Sequence, residues 1–134
     1  MIKLQSLIES FDESDAYYYH ITLAPYVSQI KNNGLLVGSK STVSNYIQHS
    51  RGKIFFCDSG MVDKWTWIIG SHAFHGHDDE RFHDVAIFRV LKNKLQNVNP
   101  DDLGTRDSGG PAYYVTYDIP PEILEFVKVV ESPY

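Results

Sequence analysis

An α+β fold is what this sequence predicts, and three observations carry the prediction. Helical patterns come early in the chain, whereas its second half is mostly strand-like. Nine tyrosines and seven phenylalanines supply the aromatic residues that favour strands, and they offer a stacking surface as well. The length of 134 residues suits a single domain, which buries about two-thirds of the surface its unfolded chain exposes. We take residues 1–134 as that one domain, with 1–14 an N-terminal helix and lead-in.

Residues 2–11, IKLQSLIESF, place Leu4, Leu7, Ile8 and Phe11 at helical spacing. The charged FDESD breaks that pattern, and AYYYHIT reads as a strand from its aromatic and β-branched residues. LAPYVSQIKNNG reads as a helix: Pro25 suits its first turn, Val27 and Ile30 lie three apart, and Gly34 stops it. LLVGS is an extended exit, TVSNYIQHS a short helix ended by Gly52, and KIFFCD a compact apolar strand. Residues 61–75 have helical length, although Gly70 weakens the pattern. HGHDDERFHD is a polar loop and DVAIFRVL a buried strand. NKLQNVNPDDLGTRDSGGP reads as one long irregular segment, of a kind that is often functional. AYYVTYD is a strand, IPPEIL a proline-started turn or short helix, and EFVKVVE a closing strand.

Composition narrows the functional classes. Apolar residues make up 43% and charged residues 22% of the chain, as in an ordinary soluble globular protein. The net charge of −5 argues against a nucleic-acid backbone as the main partner, although Lys40, Arg51 and Lys53, close in sequence, leave room for a local basic patch. Cys57 is the only cysteine, which suits a reducing cytosol. The N-terminus lacks the apolar core of a signal peptide, and no stretch approaches the ~18 apolar residues of a membrane span. A cytoplasmic protein without membrane contact is the expectation.

Two clusters invite chemistry. Asp107-Ser108-Gly109-Gly110-Pro111 contains the DSGG string that surrounds the nucleophilic serine of trypsin-like proteases. That fold needs a much longer chain and a histidine box of the type AAHC, absent here, so a turn cluster is the better reading. His72, His75, His77 and His83, with Asp78, Asp79 and Asp84, could hold zinc or nickel, but no signature such as HExxH organises them. A solvated histidine-rich loop is expected, with no metal site. Trp65 and Trp67 point to different faces of their helix, one toward the core and one partly exposed.

Three stretches in order resemble the ADP-ribosyltransferase superfamily, in its diphtheria-toxin and poly-ADP-ribose-polymerase branch. YYYHIT, a helix and NNGLL are similar to the first core strand with its histidine and the helix that ends "xxGL". RGKIFFCDSGMVDKW is similar to the Gly-Lys-Gly-Ile-Tyr-Phe-Ala-Asp run before a helix. AYYVTYDIPPEILEFVKV resembles the late strand, IPPE turn and final strand of many members, RNA 2′-phosphotransferases included. The resemblance spans roughly residues 17–130.

It implies a split β-sheet core with short helices and NAD as the cofactor-like substrate. Cleaving the glycosidic bond of NAD creates an oxocarbenium-like sugar, which a carboxylate stabilises. By resemblance, His20 binds the adenosine ribose with Thr22 behind it, Phe55 stacks on nicotinamide, and Ile21, Gly34 and Tyr46 complete the binding set. Where the family has tyrosine, Phe55 keeps the ring and loses the hydroxyl. The family's glutamate falls at Ala112 or Tyr113, neither of which is acidic, so Asp107 is the candidate substitute acid and Tyr113 the residue at the vacancy.

The resemblance therefore implies a mono-ADP-ribosyltransferase, a glycosyltransferase acting on NAD, with a protein, nucleic acid or small molecule as acceptor. A macromolecule is expected, and a protein more than a nucleic acid. A role as bacterial or phage effector or inhibitor rests on fold analogy alone. The alternative is an inactive module on the same fold that binds NAD, ADP-ribose or a protein; a metal-dependent hydrolase built on the histidine loop is a distant third. Purified protein should contain no stoichiometric transition metal and should melt unchanged in chelator, because structural zinc contributes folding energy outright. Near-equimolar zinc by elemental analysis would reverse that expectation and favour the hydrolase.

Overall fold

The computed structural model describes residues 15–38, 52–72 and 84–132. The expected helices at 2–11 and 42–50 and most of the histidine-rich loop lie outside them. Among the described residues, six strands form one antiparallel sheet: β1 (Tyr17–Leu23), β2 (Ile54–Cys57), β3 (Val85–Leu91), β4 (Asn99–Pro100), β5 (Ala112–Val115) and β6 (Glu125–Val130). Their order is β4-β5-β2-β1-β3-β6. Three short helices accompany it: α1 (Val27–Asn33), α2 (Val62–His72) and α3 (Asp102–Ser108). This is the α+β architecture that the sequence predicts.

Strand pleating assigns each side chain to a face. On β1, β2 and β3, Tyr18, Phe56, Ala86, Phe88 and Val90 face one side, where they pack with Ile30 of α1 and with Leu35 and Ile119. Tyr19, Cys57 and Ile87 face the other, under Val62 and Trp65 of α2. The central pairing of β1 with β3 runs in register from Tyr17 opposite Leu91 to Leu23 opposite Val85. Val85 to Phe88 are all buried because both faces of the sheet are covered there. α2 runs through Gly70, with Trp65 half-buried and Trp67 63% exposed, the division that their spacing predicts. Among the described residues no helix is long and apolar enough to cross a membrane.

The segment 93–111 departs from the irregular reading. It holds β4 and α3, and DSGGP is not wholly a turn: Asp107 and Ser108 end α3, and only Gly109 to Pro111 turn. The reason is capping. Asp101 accepts the Gly104 N–H at 3.1 Å as N-cap, and Gly109 closes the helix in the left-handed conformation, at φ 80°. Gly104 disguises the helix in sequence, yet a Cβ there would lie 2.2 Å from Asp101 Oδ2 and 3.1 Å from the Ala112 Cβ. The cap and the packing of α3 on β5 therefore both require glycine.

Gly34 plays a similar part at the end of α1. Its φ is 78°, and a Cβ would fall 2.0 Å from the carbonyl oxygen of Ile119. That contact follows from Leu35, which exchanges both backbone hydrogen bonds with Ile119, at 2.9 and 2.8 Å. Gly38 also has positive φ but open space around it. Gly34→Ala should thus cost at least ~3 kcal/mol, strain and collision together, whereas Gly38→Ala should cost about 1 kcal/mol. Denaturant unfolding of the two variants checks this; equal losses would contradict it.

Candidate functional site at the seam of the sheet

The sheet is continuous, but its pairing is thin at one junction. β4-β5-β2 forms one half and β1-β3-β6 the other, and the halves meet at β1 and β2. There a single register pair, Tyr19 with Cys57, joins them, against seven between β1 and β3. Side chains complete the junction. The His20 imidazole, buried on the α1 side, hydrogen-bonds through Nδ1 to the Phe55 carbonyl at 2.8 Å. A carbonyl only accepts, so Nδ1 carries the proton, and Nε2 is the ring's acceptor in the neutral imidazole.

Toward the other end of the seam lies an aromatic and charged cluster. The Tyr18 ring sits 6.1 Å from Phe56 and 5.2 Å from Tyr113, and the His20 ring is 5.8 Å from Phe56. The Tyr113 hydroxyl donates to Asp58 Oδ2 at 3.0 Å. Lys92, just past β3, brings its ammonium 3.1 Å from Asp58 Oδ1 and 5.1 Å from the Tyr18 ring centre. Asp58 follows β2 and Lys92 follows β3, so this ion pair also crosses the seam. Being partly exposed, it is worth about 0–1 kcal/mol.

The site residues expected from the sequence divide by face. His20 and Thr22 are buried on the α1 side, and the Tyr113 ring joins them there, packed against that core. Ala112, paired with Cys57, points the opposite way toward Gly104 of α3. Ile21 also lies on the opposite face, packed on the cluster of Tyr19, Cys57 and Ile87. So does the Phe55 ring, which neighbours Tyr114 at 6.2 Å; its backbone carbonyl, not its ring, meets His20. Phe56 is the aromatic that shares the histidine's face. Gly34 caps α1, and Tyr46 lies outside the described residues.

Asp107 sits on α3 with its carboxylate 3.2 Å from the Arg106 Nε, in an exposed pair. Ser108 is a buried helix-end residue whose hydroxyl lies 2.7 Å from the Gly104 carbonyl and 3.1 Å from that of Gly110. Both partners are backbone acceptors, so among the described residues the hydroxyl serves as a structural donor. Of the histidine-rich loop, Asp84 is described, and its carboxylate accepts the Ser132 N–H.

No family model matches the chain, and no curated protein matches it significantly.

Asp58, Lys92, Tyr18 and Phe56 are the members that sequence reasoning did not single out. Asp58 was visible in the run RGKIFFCDSGMVDKW, but nothing local pairs it with Lys92 or Tyr113. The cluster shifts titrations as its geometry requires. Burial and then the Asp58 charge push the Cys57 thiol up, so it is a poor nucleophile at neutral pH. Burial first, then the bond to Asp58, pushes Tyr113 up to about 12. The folded state thus prefers the protonated phenol, and this stability is intact below pH ~10, the unfolded value. It is lost as pH rises from there through about 12. Tyr113→Phe should flatten that alkaline loss of melting temperature relative to wild type. An identical alkaline profile would show that Tyr113 is not held as described.

Proposed function

We propose that the protein binds NAD at the seam between β1 and β2 and transfers ADP-ribose from it to a macromolecule, as a mono-ADP-ribosyltransferase. One observation carries the reading. The leading strands of the three stretches that resemble the ADP-ribosyltransferase superfamily, β1, β2 and β5, are distant in sequence yet adjacent in the sheet. They bring His20, the Phe55 to Asp58 segment and the head of β5 to one junction.

The chemistry fits the ligand class. An imidazole that donates through Nδ1–H has in Nε2 an atom of the right chemistry to accept a ribose hydroxyl. The half-buried Tyr18 and Tyr113 rings on the same face offer stacking area for a base. The net charge of −5 favours a protein acceptor over a nucleic acid, whose phosphates it would repel. We place the protein in the cytoplasm, where NAD is abundant and a lone cysteine stays reduced.

One feature favours the second reading, an inactive NAD- or ADP-ribose-binding module: the head of β5 carries Ala112 and Tyr113, neither of them acidic. Both readings share the ligand, so binding is the first test. Isothermal calorimetry should detect NAD binding to wild type, and His20→Ala should weaken it by about 1–3 kcal/mol. That is about 5- to 150-fold in affinity. Melting curves of the variant separate lost binding from lost folding. No heat with wild type at millimolar NAD would remove the ligand and both readings with it.

A further inference from the structure

The head of β5 has no carboxylate of its own, but one reaches it from the neighbouring strand. Cys57 pairs with Ala112, so Asp58, one residue further along, sits beside the start of β5. Its Oδ2 accepts the Tyr113 hydroxyl at 3.0 Å. The Tyr113 ring contacts Tyr18 at 5.2 Å, and Tyr18 precedes His20 by two residues on the same face of β1. The carboxylate therefore belongs to the His20 side of the sheet, where Tyr113 points and Ala112 does not. Asp107, by contrast, is on α3 and turned to Arg106.

We propose that Asp58 supplies the negative charge for the glycosidic cleavage, delivered from β2 to the place where a glutamate on β5 would otherwise stand, with Tyr113 as the residue that positions it. This rests on the reading of NAD as substrate. The bond between nicotinamide N1 and ribose C1′ breaks, and its electron pair leaves with nicotinamide. Positive charge develops on C1′ and the ring oxygen. Water or an acceptor hydroxyl forms the new bond to C1′, and its proton passes to solvent. Asp58 accepts the ribose hydroxyl next to C1′ and stabilises the cation.

The two carboxylate oxygens divide this work. Oδ2 is held by Tyr113. Oδ1 is buried beside the Lys92 ammonium, 3.1 Å away, without an aligned hydrogen bond, so a hydroxyl donor gains its lone pair only once that lysine moves. The Lys92 side chain over it is 39% exposed and can swing aside at small cost.

Nicotinamide release from NAD, measured beside calorimetric NAD affinity and melting temperature, tests this on the full chain. Asp58→Asn preserves shape and removes the charge, so kcat should fall on the order of 10²-fold while NAD affinity stays within a few-fold. Tyr113→Phe leaves the carboxylate but frees Oδ2. It should lower kcat about tenfold with KM little changed, which a purely structural role would not do. It also serves should Asp58→Asn not fold. An Asp58→Asn protein that folds and keeps kcat within threefold of wild type overturns the assignment, and more plainly so if Asp107→Asn loses turnover. Wild type that binds NAD without releasing nicotinamide overturns the role of Asp58 yet leaves the ligand reading standing. Wild type that binds no NAD overturns both.

Discussion

The His20 imidazole takes the place of a backbone ladder. Where β1 and β2 meet, one register pair joins two three-stranded halves, and beyond it a side chain spans the gap to the Phe55 carbonyl. A buried hydrogen bond of this kind contributes about 1 kcal/mol net, and leaving its carbonyl unsatisfied would cost more. The rest of the site depends on this substitution. A full ladder between β1 and β2 would claim the Phe55 carbonyl and leave the ring no acceptor there. The same histidine thus gives cohesion where the two halves of the sheet meet.

Pleat parity decides which residues can act together. Each step along a strand changes the face, and that places Tyr18, His20, Phe56 and Tyr113 on one side, with Phe55, Cys57 and Ala112 on the other. The division has a chemical consequence. A carboxylate on the Ala112 side chain would press on Gly104 of α3, away from the histidine. Asp58 avoids this because it lies past the last pair of β2, where the chain leaves the ladder and its side chain can lean over Tyr113. The Lys92 pair then ties that carboxylate to the far half of the sheet.

The fold was readable from the sequence where the signal is local. YYYHIT, VAIFRVL, AYYV and EFVKVV announce their strands by β-branched and aromatic content, and Pro25 and Gly34 bracket α1. α3 escaped because a seven-residue helix containing Gly104 looks like a turn until Ala112 packs against it. At the site, the strand position of His20 was legible, but its bond to Phe55 was not, since it joins residues 35 apart. Likewise, the string KIFFCD does not say which phenylalanine faces inward. Phe56 does, because its neighbours Cys57 and Ile54 are claimed by opposite cores. The meeting of Asp58, Lys92 and Tyr113 is a product of strand order, which no local pattern encodes.

The central claim is that the seam of the sheet is where the ligand sits, and backbone amide spectra recorded during an NAD titration test it most directly. The largest shifts should fall on residues 18–22 of β1, on 54–58 of β2 and on the head of β5 at 112–114. The α3 surface around Arg106 and the outer strand β6 should stay still. Shifts confined to α3 or β6, or spectra unchanged at millimolar NAD, would contradict the account.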